Sequence, residues 1–168
     1  MALTNSARLS AAGVASMRFA AVDEALGEGA IALGASATDR TAAIRAAGDL
    51  LEATGRTTAA YTDEMVRAVE DHGPYIVIAP GIALAHGRPS AEVLETGLSL
   101  VTLAEPVVFG HATNDPVRLV IGLAAFDHNA HLGLMRELAL LLGDDAAAAA
   151  ERETLSTLTF SLTEMSPL

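Results

Sequence analysis

The sequence predicts an α/β fold, a mixed β-sheet flanked by helices on both sides, and three observations lead there. Two segments with apolar residues at helical spacing come first. A series of short apolar runs bounded by Gly, Pro and Asp follows, and one more amphipathic helix closes the patterned region. At 168 residues the chain is long enough to bury one core and too short for two domains of ordinary size.

Residues 1–22, "MALTNSARLSAAGVASMRFAAV", carry Arg8 and Arg18, several Ser and Ala, and no acid. That composition resembles a transit peptide, but Arg18 interrupts any secretory apolar core, and a short amphipathic or frayed lead-in helix fits equally well. The segment is read as an N-terminal lead-in, with the domain proper spanning 23–168.

After "AIALGA" (30–35), the stretch "SATDRTAAIRAAGDLLEATG" opens with cap-type residues, places Ile44, Ala47, Leu50 and Leu51 at helical spacing, and meets Gly55 as a stop. "TAAYTDEMVRAVEDHG" repeats the pattern with Tyr61, Met65, Val66 and Val69 on one face and Gly73 at its end. The period then changes. "YIVIA" (75–79), "GIAL" (81–84), "GLSLVTL" (97–103), "PVVF" (106–109) and "RLVIGLAA" (118–125) read as strands buried on one or both faces. "DHNAHLGLMRELALLLG" reads as a helix capped by Asp127, with Leu132, Met135, Leu138, Leu141 and Leu142 facing a core and Gly143 as its stop. Beyond it an Ala run favours helix while a Thr/Ser alternation also admits strand, so the tail is left unassigned.

Composition removes several function classes. The apolar fraction of 51% is dominated by Ala, and no charge-free apolar stretch of about 18 residues exists to span a membrane. The net charge is −11, and every basic residue is an Arg standing outside any stripe, so neither nucleic acid nor an anionic membrane is expected as a partner. A protein partner should instead be basic. The absence of Cys removes disulfides, thiolate metal sites and thiol nucleophiles, leaving His, Asp, Glu and Arg as reactive candidates.

Of the five histidines, His72 sits at a helix C-terminus, where an imidazolium suits the dipole, and His111 lies in the turn-rich "FGHATNDPVR". His128 and His131 are three apart in one helical turn and share a side, but a pair alone lacks a third ligand and a zinc signature. His86, in "GIALAHGRP", follows a buried run, precedes Gly87, which permits close approach, and has Arg88 two residues on. Ligands gather at strand ends in such sheets, so a strand-end His86 facing a helix-start His131 is the candidate site, against the alternative of a satisfied core histidine.

"GIALAHGRP" resembles the active-site motif of the type-2 enzyme IIA (EIIA) domains of the bacterial phosphoenolpyruvate-dependent sugar phosphotransferase system (PTS), the mannitol/fructose class, and within it the ascorbate-type branch. The likeness covers roughly residues 25 to 143 and runs colinearly through "AAIRAAGDLL", "TGLSLVTLAEPVVFG", "NDPVRLVIGLAA" and "DHNAHLGLM". The resemblance implies a PTS type-2 IIA-like fold and a phosphoryl relay needing no cofactor or metal. It assigns His86 as the histidine phosphorylated by HPr, which then passes the group to the EIIB component. His131 matches the second active-site histidine, and Arg45, in "AAIRAAG", an arginine near the phosphoryl group. It further implies a cytoplasmic protein that meets the membrane only through EIIB and EIIC, serving sugar uptake, with L-ascorbate the expected substrate.

One departure from the family pattern is Ala85, where a Pro usually precedes the reactive His. Proline would restrict the backbone on both sides, so a less preorganised loop is expected here. The alternative within the family is a free-standing regulator that signals through the same histidine. Outside it stands a zinc hydrolase built on His86, His128 and His131, which lacks an obvious general base.

Overall fold

A computed structural model describes residues 19–142. Most of the lead-in segment, Gly143 and the unassigned tail lie outside the described residues. The chain divides into two compact units, one of which runs from Ala25 to Leu132. The described part of the other consists of residues 19–24 and 133–142.

In chain order the elements are α1 (Ala20–Ala25), β1 (Leu26–Ala35), α2 (Arg40–Ala53), α3 (Ala59–His72), β2 (Val77–Ala79), β3 (Ile82–His86), β4 (Gly97–Val107), β5 (Val117–Ala124) and α4 (His128–Leu142). The five strands form one mixed sheet in the order β1-β4-β5-β3-β2. β1 runs parallel to β4 and β3 parallel to β5, whereas β4–β5 and β2–β3 are antiparallel. The α/β mixed sheet expected from the sequence is the architecture observed.

Local chemistry sets the helix ends. The Asp39 carboxylate accepts the Ala42 N–H at 2.8 Å, satisfying an otherwise unpaired donor at the start of α2. Asp127 does the same for Ala130 at 2.8 Å on α4, as its position predicts. Thr58 precedes α3 without capping it, because its hydroxyl is bonded to the Glu92 carboxylate. α3 ends at Gly73, whose φ of 80° is a conformation that side-chain-bearing residues rarely adopt.

The core of the larger unit lies between the helix pair and one face of the sheet. Ala43, Ile44, Ala47 and Leu51 of α2 and Tyr61, Met65, Val66 and Val69 of α3 cluster with Ala83 and Ala85 of β3, Val101 of β4, and Val120 and Ala124 of β5. Burying each larger aliphatic side chain contributes roughly 1.5–3 kcal/mol. Small residues set the spacing: a Cβ at Gly48 of α2 would fall 2.3 Å from Thr62 Oγ1 on α3. The Ser99 hydroxyl donates to the Ala47 carbonyl at 2.8 Å, joining β4 to α2 inside this core. Strand alternation sends Leu84, Leu98, Leu100, Ile121 and Leu123 to the opposite sheet face, where they are buried as well. In the smaller unit the Glu137 carboxylate accepts the Ala21 and Val22 N–H groups at 3.1 and 3.4 Å, tying α1 to α4.

Three strand assignments need correction. β1 was not expected as a strand: Gly27, Gly29 and Gly34 break its pattern, and its pairing with β4 is interrupted by register shifts. "PVVF" is not a separate strand, because β4 continues through Pro106 to Val107 with an irregularity between Thr102 and Val107. Tyr75 and Ile76 lie in a turn ahead of β2, which begins at Val77. Among the described residues no helix is long and apolar enough to cross a membrane.

Candidate active site

His86 ends β3 opposite Leu123 of β5, the last of five consecutive in-register pairs that begin at Ile82 and Leu119. Ala85 is buried in that ladder opposite Gly122, so regular strand pairing orders the residue where the family usually has proline. The His86 ring is partly buried, with Nδ1 2.8 Å from the Leu84 carbonyl oxygen. A carbonyl can only accept, so Nδ1 carries the proton of the neutral ring and the lone pair belongs to Nε2.

The Asp127 cap starts α4 so that its first turn carries His128 and His131. The His131 ring lies 5.7 Å from that of His86, centroid to centroid, with the planes at 47°. Burial holds the His131 imidazole below its ordinary pKa, and the neighbouring His86 and His128 depress it further. Its Nδ1 is buried with no partner among the described residues, which favours the tautomer with the proton on Nε2.

Tyr75 meets the His86 ring edge-on at 5.8 Å and the His72 ring edge-on at 6.5 Å. Burial raises the Tyr75 phenol pKa, and the Arg88 guanidinium opposes that shift. Tyr75, the 86–89 segment, His128 and His131 line an open cavity of about 600 Å³. Arg88 is the arginine in its wall.

Arg45 is not brought to this cavity. Its guanidinium projects from α2 to Asp63 on α3, with Nη1 3.0 Å from Oδ1 and both side chains about half exposed (48% and 53%). The helical register that buries Ile44 and Ala47 turns Arg45 outward. His111 is also elsewhere, its Nδ1 accepting the Thr113 and Asn114 N–H groups at 3.2 and 3.1 Å. Asp115 organises the same loop by accepting from Phe109, Gly110 and His111. Among the described residues no group of three or more His, Asp or Glu is arranged to hold a metal ion.

Tyr61 was expected only as a core residue, yet its buried hydroxyl reaches the site's backbone. It donates to the Leu123 carbonyl at 2.7 Å and accepts from the Gly87 N–H at 2.9 Å. Burial pushes its phenol up to about 12. Helical spacing identified the buried ring but carried no signal for the partners of its oxygen.

The family described as phosphoenolpyruvate-dependent sugar phosphotransferase system, EIIA 2, matches residues 24–155. A relative from Shigella boydii, the ascorbate-specific PTS system EIIA component, is 46% identical over 96 residues, 56% of this chain and 62% of the relative. The chain thus spans somewhat less than two thirds of that relative's length. The solution structure of the mannitol-specific cryptic phosphotransferase enzyme IIA CmtB from Escherichia coli matches with a TM-score of 0.68 and 30% identity, covering 77% of this chain and 88% of that one. A complex of enzyme IIA Mtl with phosphorylated enzyme IIB Mtl from Escherichia coli matches with a TM-score of 0.62 and 32% identity, over 72% and 83% of the respective chains.

Proposed function

From its membership of the EIIA type-2 family of the phosphoenolpyruvate-dependent sugar phosphotransferase system, we propose that this chain is a cytoplasmic phosphocarrier. His86 accepts a phosphoryl group from phospho-HPr and delivers it to a cognate EIIB, in service of sugar uptake. L-Ascorbate is the substrate of the system, a reading supported by the ascorbate-specific relative at 46% identity. Transfer to an EIIB is supported by the complex of the Escherichia coli mannitol enzyme IIA with its phosphorylated enzyme IIB.

The observation that carries the mechanism is the Leu84 carbonyl on His86 Nδ1 at 2.8 Å. Nε2 attacks phosphorus as the donor's P–N bond breaks, and the donor imidazole leaves with that electron pair. The His86 Nδ1–H stays on Leu84, where the carbonyl stabilises the positive charge that the ring acquires. Because phosphoryl transfer depends chiefly on positioning and on stabilising charge, the rest of the site supplies donors. His131, neutral and protonated on Nε2, donates to a phosphoryl oxygen. Arg88 supplies the cation, a role that the position of Arg45 does not support. The return step reverses this order toward EIIB, and the net charge of −11 suits partners with basic surfaces.

The test is transfer of labelled phosphate from phosphoenolpyruvate through enzyme I and HPr to the wild type and to His86→Ala. Acid-labile, base-stable label on the wild type alone, discharged by an ascorbate-type EIIB, is the expected result. Label retained by His86→Ala, or none on the wild type, overturns the reading.

A further inference from the structure

β3 ends at His86, opposite Leu123 of β5. At this end the wholly buried Tyr61 of α3 joins the two chain segments through one hydroxyl. That oxygen donates to the Leu123 carbonyl at 2.7 Å and accepts the Gly87 N–H at 2.9 Å. The Gly87 N–H belongs to the peptide plane that leaves His86, so the second bond fixes rotation about the His86 Cα–C axis. A Cβ at Gly87 would approach the Tyr61 ring to 3.3 Å, so glycine lets the backbone lie directly against the phenol. A Phe would fill the same space, but would leave a donor and an acceptor unpaired in a buried place.

We propose that Tyr61 is a positioning residue for His86: its hydroxyl clamps the His86–Gly87 peptide against β5 and thereby aims the His86 ring at the cavity. The ring is then held at two levels, by its own Nδ1–H on Leu84 and by the peptide that follows it. The consequence for phosphoryl transfer rests on the phosphocarrier reading; the clamp itself does not. Misplacing a reacting group by about 1 Å costs about 10²-fold in rate, so a lost clamp is felt in transfer even where the fold survives.

The experiment compares the full-length wild type with Tyr61→Phe by ¹⁵N spectroscopy of the His86 ring nitrogens, by solvent exchange of the Gly87 amide, and by the rate of phosphorylation from phospho-HPr. The wild type should hold the Nδ1–H tautomer and a protected Gly87 amide. The variant, folded by circular dichroism, should show a tautomer mixture, Gly87 exchange faster by about 10-fold or more, and transfer slowed by about 10- to 100-fold. A folded variant with unchanged tautomer, exchange and rate would overturn the proposal. Should the variant fail to fold, the wild type decides: a Gly87 amide exchanging as fast as the exposed-loop amide of Ala112 contradicts the clamp, and a protected one with a cross-relaxation contact to the Tyr61 hydroxyl proton supports it. If neither protein takes up phosphate, the phosphocarrier reading fails, while ring nitrogens and amide exchange still decide the role of Tyr61.

Discussion

The rings of His86 and His131 stand 5.7 Å apart, from the end of β3 and the first turn of α4, so the His86 imidazole disfavours positive charge on His131. His131 carries the consequence: burial, then His86, then His128 hold its pKa below the ordinary 6.5. Below pH 6.5 the unfolded chain therefore takes up a proton that the folded chain resists, and stability falls as pH drops from 6.5 toward the folded value. Urea midpoints measured from about pH 8 down to about pH 5 should fall more steeply for the wild type than for His131→Gln. Parallel profiles would contradict the assignment.

The phenol of Tyr61 acts at the other end of the pH scale. Its pKa is about 12 when folded against 10.0 ordinarily, so between these values the unfolded chain loses a proton that the folded chain keeps. The contribution is present below pH 10 and is lost as pH rises toward 12. Tyr61→Phe should flatten this alkaline loss, read from thermal midpoints across the same range.

The two arginines should separate cleanly in a transfer assay. Arg88→Gln removes the cation in the cavity wall and is expected to slow phosphorylation by about 10-fold or more. Arg45→Gln breaks an exposed pair with Asp63, worth about 0.2–1 kcal/mol, and should leave the rate within about twofold. The reverse ranking would return Arg45 to the site.

Helix packing gives a prediction independent of chemistry. Gly48→Ala drives a methyl group to 2.3 Å from Thr62 Oγ1, 2.5 Å from its Cγ2 and 2.8 Å from its Cβ, contacts that a shift of α2 and α3 relative to each other must relieve. Such overpacking should destabilise the protein by about 1–3 kcal/mol in denaturant titration. Because α3 also carries Tyr61, the same substitution should increase Gly87 amide exchange.

The site was legible in the sequence where local signals agreed. A buried run ending on His86, a glycine after it, and Asp127 starting a helix that carries His131 were enough to anticipate two facing histidines. What escaped depended on tertiary register. Resemblance alone places Arg45 at the site, whereas the helix that carries it turns it outward to Asp63. Tyr61 looked like any apolar helix residue, since its function lies in the two backbone groups that the fold delivers to its oxygen. β1 was missed for a related reason: three glycines hide the strand pattern, and pairing with β4 supplies the order that local propensity does not.

The central claim is that Nε2 of His86 carries the phosphoryl group because Nδ1 is held by Leu84. The most direct test is phosphorus–nitrogen coupling in ¹⁵N-histidine-labelled protein, charged through enzyme I and HPr and assigned by comparison with His86→Ala. The account predicts one phosphohistidine, at His86, with phosphorus bonded to Nε2 and Nδ1 still protonated. Phosphorus on Nδ1 of His86, or on His131, would contradict it.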